Sequence, residues 1–127
     1  MNPLKDAAET ARRRAYAPYS GFRVGAALET ERGTIVTGCN VENASYGLTT
    51  CAERNAVAAA VAAGHTGFRR LALVSDSPQP VSPCGACRQF LSEFGDDLVI
   101  ESWAGDRMSS WTLRELLPSA FGRGQLS

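Results

Sequence analysis

Four cysteines, Cys39, Cys51, Cys84 and Cys87, carry the most chemistry this sequence offers. Cys84 and Cys87 form a C-x-x-C pair, and Cys51 is followed two residues later by Glu53 and then by Arg54. Three thiolates around a tetrahedral ion leave one position open, which distinguishes a catalytic zinc from a structural one. A carboxylate beside such an ion can move protons. Each residue also has a plainer reading. The C-x-x-C alone is equally a redox pair. Cys39 could complete a four-cysteine structural zinc, but within a strand pattern it reads as a small buried hydrophobe. Thr50-x-x-Glu53 matches a capping box, and Arg54 could be a surface cation. The two pieces together, Cys-x-Glu and then Pro83-Cys84-x-x-Cys87, outweigh these readings, because each would have to arise independently.

The elements that must hold these residues can be read in order. Asn2-Pro3 starts a helix running to about Tyr16 and stopped by Pro18, with Arg12, Arg13 and Arg14 on and around a solvated polar side. Residues 23–30 and 34–40 form a hairpin turning at Gly33, and Gly25 inside the first strand marks a close backbone approach. After a polar loop, residues 50–63 form an alanine-rich helix ending at Gly64, apolar nearly all round and therefore buried. A strand at 71–74 leads through prolines into a helix from Ser82-Pro83 to about Gly95. Strands at 98–101 and 108–111 follow, then a short helix opened by a Thr112–Glu115 capping box. His65 reads as an exposed loop residue without a role. This order predicts an α/β fold, a mixed five-stranded sheet with helices on its faces, in a single domain over residues 1–127. Cys51 then falls in the first turn of one helix, and Cys84 and Cys87 in the first turn of another. The positive helix ends there favour thiolates.

Bulk properties narrow the partners. The 127 residues balance 13 Lys and Arg against 13 Asp and Glu, whereas polynucleotide-binding domains are usually basic. No leader or membrane span is expected. A cytoplasmic, reducing location is expected, where cysteines serve metal or catalysis more than disulfides.

The sequence resembles the small, single-domain cytidine deaminases of nucleoside salvage over nearly its whole length. The resemblance rests on residues 16–27, on Asn40-Val41-Glu42-Asn43-Ala44-Ser45-Tyr46-Gly47, on Cys51-Ala52-Glu53-Arg54, on Pro83-Cys84-Gly85-Ala86-Cys87-Arg88-Gln89 and on residues 116–121. It implies a three-layer α/β/α sandwich and one Zn²⁺ per chain, held by Cys51, Cys84 and Cys87. Hydrolytic deamination of cytidine and deoxycytidine is implied, with Glu53 as the proton shuttle and Arg54 offsetting the thiolate charge. For the substrate it implies Asn40 and Glu42 on the ribose, Phe22 stacked on the base, Ala52 reading the base edge by its backbone, and Tyr46 near the pocket. Phe121 would complete the pocket from a neighbouring subunit of a homotetramer. A deaminase of another cytosine-containing small molecule, such as blasticidin S, is the alternative on the same scaffold. Neither nucleic acid nor membrane is an expected partner.

Overall fold

The structure is a computed structural model, and it describes residues 2–126. Helix α1 spans Pro3–Arg13, strand β1 Val24–Thr30, β2 Ile35–Cys39, helix α2 Ala52–Ala62, β3 Phe68–Ser75, α3 Gly85–Ser92, β4 Val99–Ala104, β5 Arg107–Thr112 and α4 Leu113–Leu116. Two short 3₁₀ turns lie at Tyr46–Leu48 and Arg123–Leu126. Every expected element is present, with α1 ending earlier than Tyr16 and α3 shorter at both ends than its sequence pattern suggested. The sheet order is β2-β1-β3-β4-β5, antiparallel except for the parallel β3–β4 pair. That one parallel pair requires a crossover, and α3 supplies it.

Side chains alternate across the pleat and so build two cores. On one face Ala26, Leu28, Leu71, Leu73 and Ile100 pack against Ala56, Val57 and Ala60 of α2 and Leu91 of α3. On the other, Ala27, Ala72 and Val74 meet Leu4 and Ala8 of α1. This is the expected three-layer α/β/α sandwich.

A glycine on each face of the hairpin sets how closely the helices lie. A Cβ on Gly25 would fall 2.9 Å from Arg12 Cα and closer still to the Ala8 carbonyl oxygen, which bears out the close approach read from the sequence. On the α2 face, a Cβ on Gly38 would lie 2.6 Å from the Ala52 carbonyl oxygen and 2.9 Å from Ala56 Cα. Gly33 turns the hairpin at φ 83°.

Two expectations about helix faces are corrected. Arg12 is not simply solvated, since it bonds Glu9 at 2.6 Å and Asp76 at 2.5 Å, tying α1 to the end of β3. Nor is α2 buried all round. Ala58, Ala59, Val61 and Ala62 are exposed, because apolar composition does not say which side its own chain covers. His65 is half-buried rather than exposed.

The arginine cluster makes acid stability testable. The hydrogen bond from Arg12 holds Glu9 below its ordinary value. Burial raises Asp76, but bonds from Arg23 and Arg12 outweigh it and leave it lowered. Carboxyls depressed in the folded state stabilise it above their ordinary values, and that contribution fades as pH falls through the folded values. Asp76→Asn is therefore expected to cost about 1 kcal/mol at neutral pH, a modest figure for so accessible a pair. Its difference from the parent in thermal unfolding should vanish as the pH is taken well below 4.

Candidate active site

The chain folds back on itself to present Cys51. After β2, Val41 and Thr50 exchange backbone hydrogen bonds of 3.0 Å in both directions, closing the loop between them. Asn55 then donates to the Cys39 carbonyl at 2.8 Å and to Thr50 Oγ1 at 3.1 Å, fixing the first turn of α2 against β2. Cys51 is the N-cap of α2 and Cys84 the N-cap of α3, both extended and without a capping side-chain bond. Only Cys87 lies inside a first turn, so Cys51 and Cys84 stand one step earlier than expected. The N-cap position serves them well, because it lies at the positive end of the helix dipole.

The three Sγ atoms lie within 4.8 Å of one another. Cys39 is not among them, and its carbonyl serves the Asn55 contact instead. Arg54 Nη2 reaches Cys51 Sγ at 3.4 Å, while its buried Nε–H has no protein partner. The bond shared with Cys87 and the nearby Arg54 draw the Cys51 thiol down to about 5. Cys87 is pushed up by that same bond and by burial.

Glu53 is 6% exposed. Burial pushes its carboxyl up to about 6, and the charge of Cys51 adds to the rise. The capping-box reading fails, since the N-cap is Cys51 and Thr50 Oγ1 is taken by Asn55. A buried carboxyl released from capping, beside Cys51 and Cys87, is arranged for proton transfer near neutral pH.

Soft sulfur donors, three in number and backed by a guanidinium, suit zinc and leave room for a further ligand. The profile of the cytidine and deoxycytidylate deaminase zinc-binding region matches residues 2–102, a span containing all three cysteines and Glu53. The chain belongs to this deaminase family. It is 49% identical over 120 residues to a cytidine deaminase of Sporosarcina psychrophila, covering 92% of this chain and 88% of that protein. It superposes on a crystal structure of cytidine deaminase from Burkholderia pseudomallei with a TM-score of 0.91 at 46% identity, covering 95% of this chain and all of that one. A blasticidin-S deaminase of Bacillus cereus is more distant, 32% identical over 108 residues, with 79% of this chain and 77% of that protein covered. The chain is thus a deaminase family enzyme, and Zn²⁺ is its cofactor.

The other candidate residues of this deaminase fall into two groups. Asn40, 9% exposed, accepts from Val24 N at 2.8 Å and donates to the Phe22 carbonyl at 2.9 Å. Glu42 accepts from Tyr19 N at 2.9 Å, Ser20 N at 3.1 Å and Ser20 Oγ, and these bonds, the hydroxyl's foremost, hold its carboxyl below its ordinary value. Both residues therefore shape the segment that carries Phe22. Tyr46 packs edge-on against Tyr19 with ring centres 5.9 Å apart, and Ala52 is fully buried at the start of α2. Phe121 belongs to the C-terminal segment, is 58% exposed, and is held through its carbonyl by Gln89 Nε2 at 2.8 Å.

Sequence reasoning assigned no role to Asn55, Arg88 or Gln89. Asn55 carried no signal, and Arg88 and Gln89 were marked only by following Cys87 in the block that resembles the deaminase zinc site. Because the sulfur cluster omits Cys39, Cys39→Ser is expected to retain one zinc per chain, measured by metal analysis of the purified protein. Loss of zinc would mean a four-cysteine site.

Proposed function

We propose that residues 1–127 act as one deaminase domain that hydrolyses cytidine and deoxycytidine to uridine and deoxyuridine with release of ammonia. The observation that carries this reading is the buried Glu53 carboxyl, raised to about 6, set beside a cluster of three thiols. Zinc bound by Cys51, Cys84 and Cys87 supplies Lewis-acid chemistry that makes a water nucleophilic near neutral pH. Glu53 accepts one proton from the attacking water as it adds at C4 and delivers it to the pyrimidine N3. It then takes the second proton from the hydroxyl now on C4 and passes it to the amine, which leaves as ammonia as the C4–N bond breaks and the C4 carbonyl forms. One carboxyl suffices for these steps because it alternates between base and acid. Arg54 draws negative charge from Cys51 and keeps the thiolate set from over-neutralising the site.

Substrate binding follows from the remaining residues. Phe22 stacks on the base, the backbone of Ala52 reads its edge, and Asn40 and Glu42 meet the ribose with the lone pairs and protons left after their backbone contacts. Tyr46 borders this region. The exposed face of α2, with Phe90 and Phe121, supports a homotetramer in which Phe121 of one subunit completes the pocket of another. No helix among the described residues is long and apolar enough to cross a membrane, and with a formal net charge of zero a small nucleoside in the cytoplasm is a better partner than a polyanion.

An absorbance assay on zinc-replete protein tests the reading, with cytidine, cytosine and blasticidin S in parallel. Turnover of cytidine is expected, and no turnover would overturn the proposal. Turnover of blasticidin S alone would transfer the function to that substrate class.

A further inference from the structure

Immediately after Cys87, α3 carries two residues whose side chains reach away from the helix. Arg88 Nε donates to the Pro83 carbonyl at 2.8 Å, Nη2 to Ser82 Oγ at 3.1 Å, and Nη1 to the Leu116 carbonyl at 2.8 Å. Its backbone N–H closes on the Cys84 carbonyl at 3.0 Å. Gln89 holds the carbonyl of Phe121 at 2.8 Å. No carboxylate pairs with Arg88 among the described residues, and all its side-chain bonds go to neutral oxygens of two separate segments. A planar guanidinium can serve three such directions together, whereas an ammonium acts as a point charge.

We propose that Arg88 is a positioning residue that fastens the turn presenting Cys84 to the C-terminal segment. Zinc affinity and the placement of Phe121 are thereby coupled through one side chain. The proposal rests on the zinc deaminase reading of the site. The Arg88 side chain acts on the metal only through Ser82 and Pro83, the residues that lead into Cys84. It fixes the backbone there, so less of the binding free energy is lost in ordering that ligand. Gln89 acts on the tail alone, since it bonds nothing on the cysteine loop. The two neighbours therefore separate the metal end of the connection from the substrate end.

The experiment uses the full-length, zinc-loaded protein and its variants Arg88→Met, Arg88→Lys and Gln89→Met. Zinc affinity is measured by competition with a chromogenic chelator, and KM and kcat are measured with cytidine. Arg88→Met is expected to bind zinc about 10-fold or more weakly and, when saturated with zinc, to show a raised KM. Arg88→Lys should not restore either property. Gln89→Met should raise KM and leave zinc affinity unchanged. If Arg88→Met does not fold, as judged by circular dichroism, Arg88→Gln, which keeps an amide donor, carries the same expectation. Unchanged zinc affinity in the Arg88 variants would overturn the proposal, as would full rescue by lysine, which would assign the effect to charge alone. Equal zinc loss in Gln89→Met would also overturn it, by making the effect a general loosening of α3. Zinc competition needs no substrate. A parent protein that fails to deaminate cytidine therefore counts against the functional reading, while unchanged zinc affinity in an active enzyme counts against Arg88.

Discussion

Replacing Glu53 with glutamine should leave a folded, zinc-loaded protein that no longer deaminates cytidine. Glutamine keeps the volume and much of the polarity of the side chain but can neither accept nor deliver a proton. Positioned general acids and bases contribute about 10²–10⁴-fold each, and Glu53 serves in both capacities, so kcat should fall by at least about 10⁴-fold. Stability moves the other way. Burial raises the Glu53 carboxyl to about 6 from an ordinary 4.5, so above that value its ionised form opposes folding, by about 2 kcal/mol at neutral pH. Removing the charge should therefore hold or raise the unfolding temperature of the metal-free protein. Metal analysis, thermal unfolding and kcat on one preparation test all of this. A variant that loses zinc, or one that keeps a sizeable share of activity, would remove Glu53 from the role of proton shuttle.

The second large effect is expected far from any reacting atom. Gly38→Ala places a methyl group against the backbone of α2 at Ala52 and Ala56. A side chain could rotate away, but a helix backbone can only shift as a unit. Overpacking a well-filled core costs about 1–3 kcal/mol, and this contact falls at the upper end because no rotamer relieves it. The unfolding temperature should drop by about 10 °C. Movement of α2 also carries Cys51 and Glu53 out of register with Cys84 and Cys87, so zinc affinity and kcat should fall with it. Gly47→Ala is the matched control, since a Cβ there meets nothing within 4 Å, and it should unfold at the parent temperature. A Gly38→Ala protein as stable as the parent would show that α2 can ride higher on the sheet.

The sequence made the local features legible and left the long-range ones hidden. The Thr112–Glu115 capping box and the turn at Gly33 follow from neighbouring residues, and both form as expected. The Thr50–Glu53 pattern has the same local form, yet no cap forms there, because Thr50 is engaged by Asn55 and Cys51 takes the N-cap. Gly25 could be read as a point of close approach. Gly38 occupies a similar strand position and, like Gly25, meets a helix distant in sequence, but nothing in the sequence marked it out, so its importance needed the structure. Cys51, Cys84 and Cys87 were identifiable because their chemistry restricts the residue types. The contacts around them, from Asn55 to Cys39 and from Arg88 to Pro83 and Leu116, join groups of ordinary composition.

The separation of Cys51 from Cys84 and Cys87 along the chain has a consequence in polymer terms. A zinc ion shared by these residues closes a ring containing all of α2, all of β3 and the proline-marked turn. Closing such a ring removes more configurational freedom from the unfolded chain than from the folded one, much as a covalent crosslink would. Unlike a disulfide, this link forms under reducing conditions and tightens with the free concentration of the ion. The fraction of folded chains is therefore tied by mass action to zinc supply.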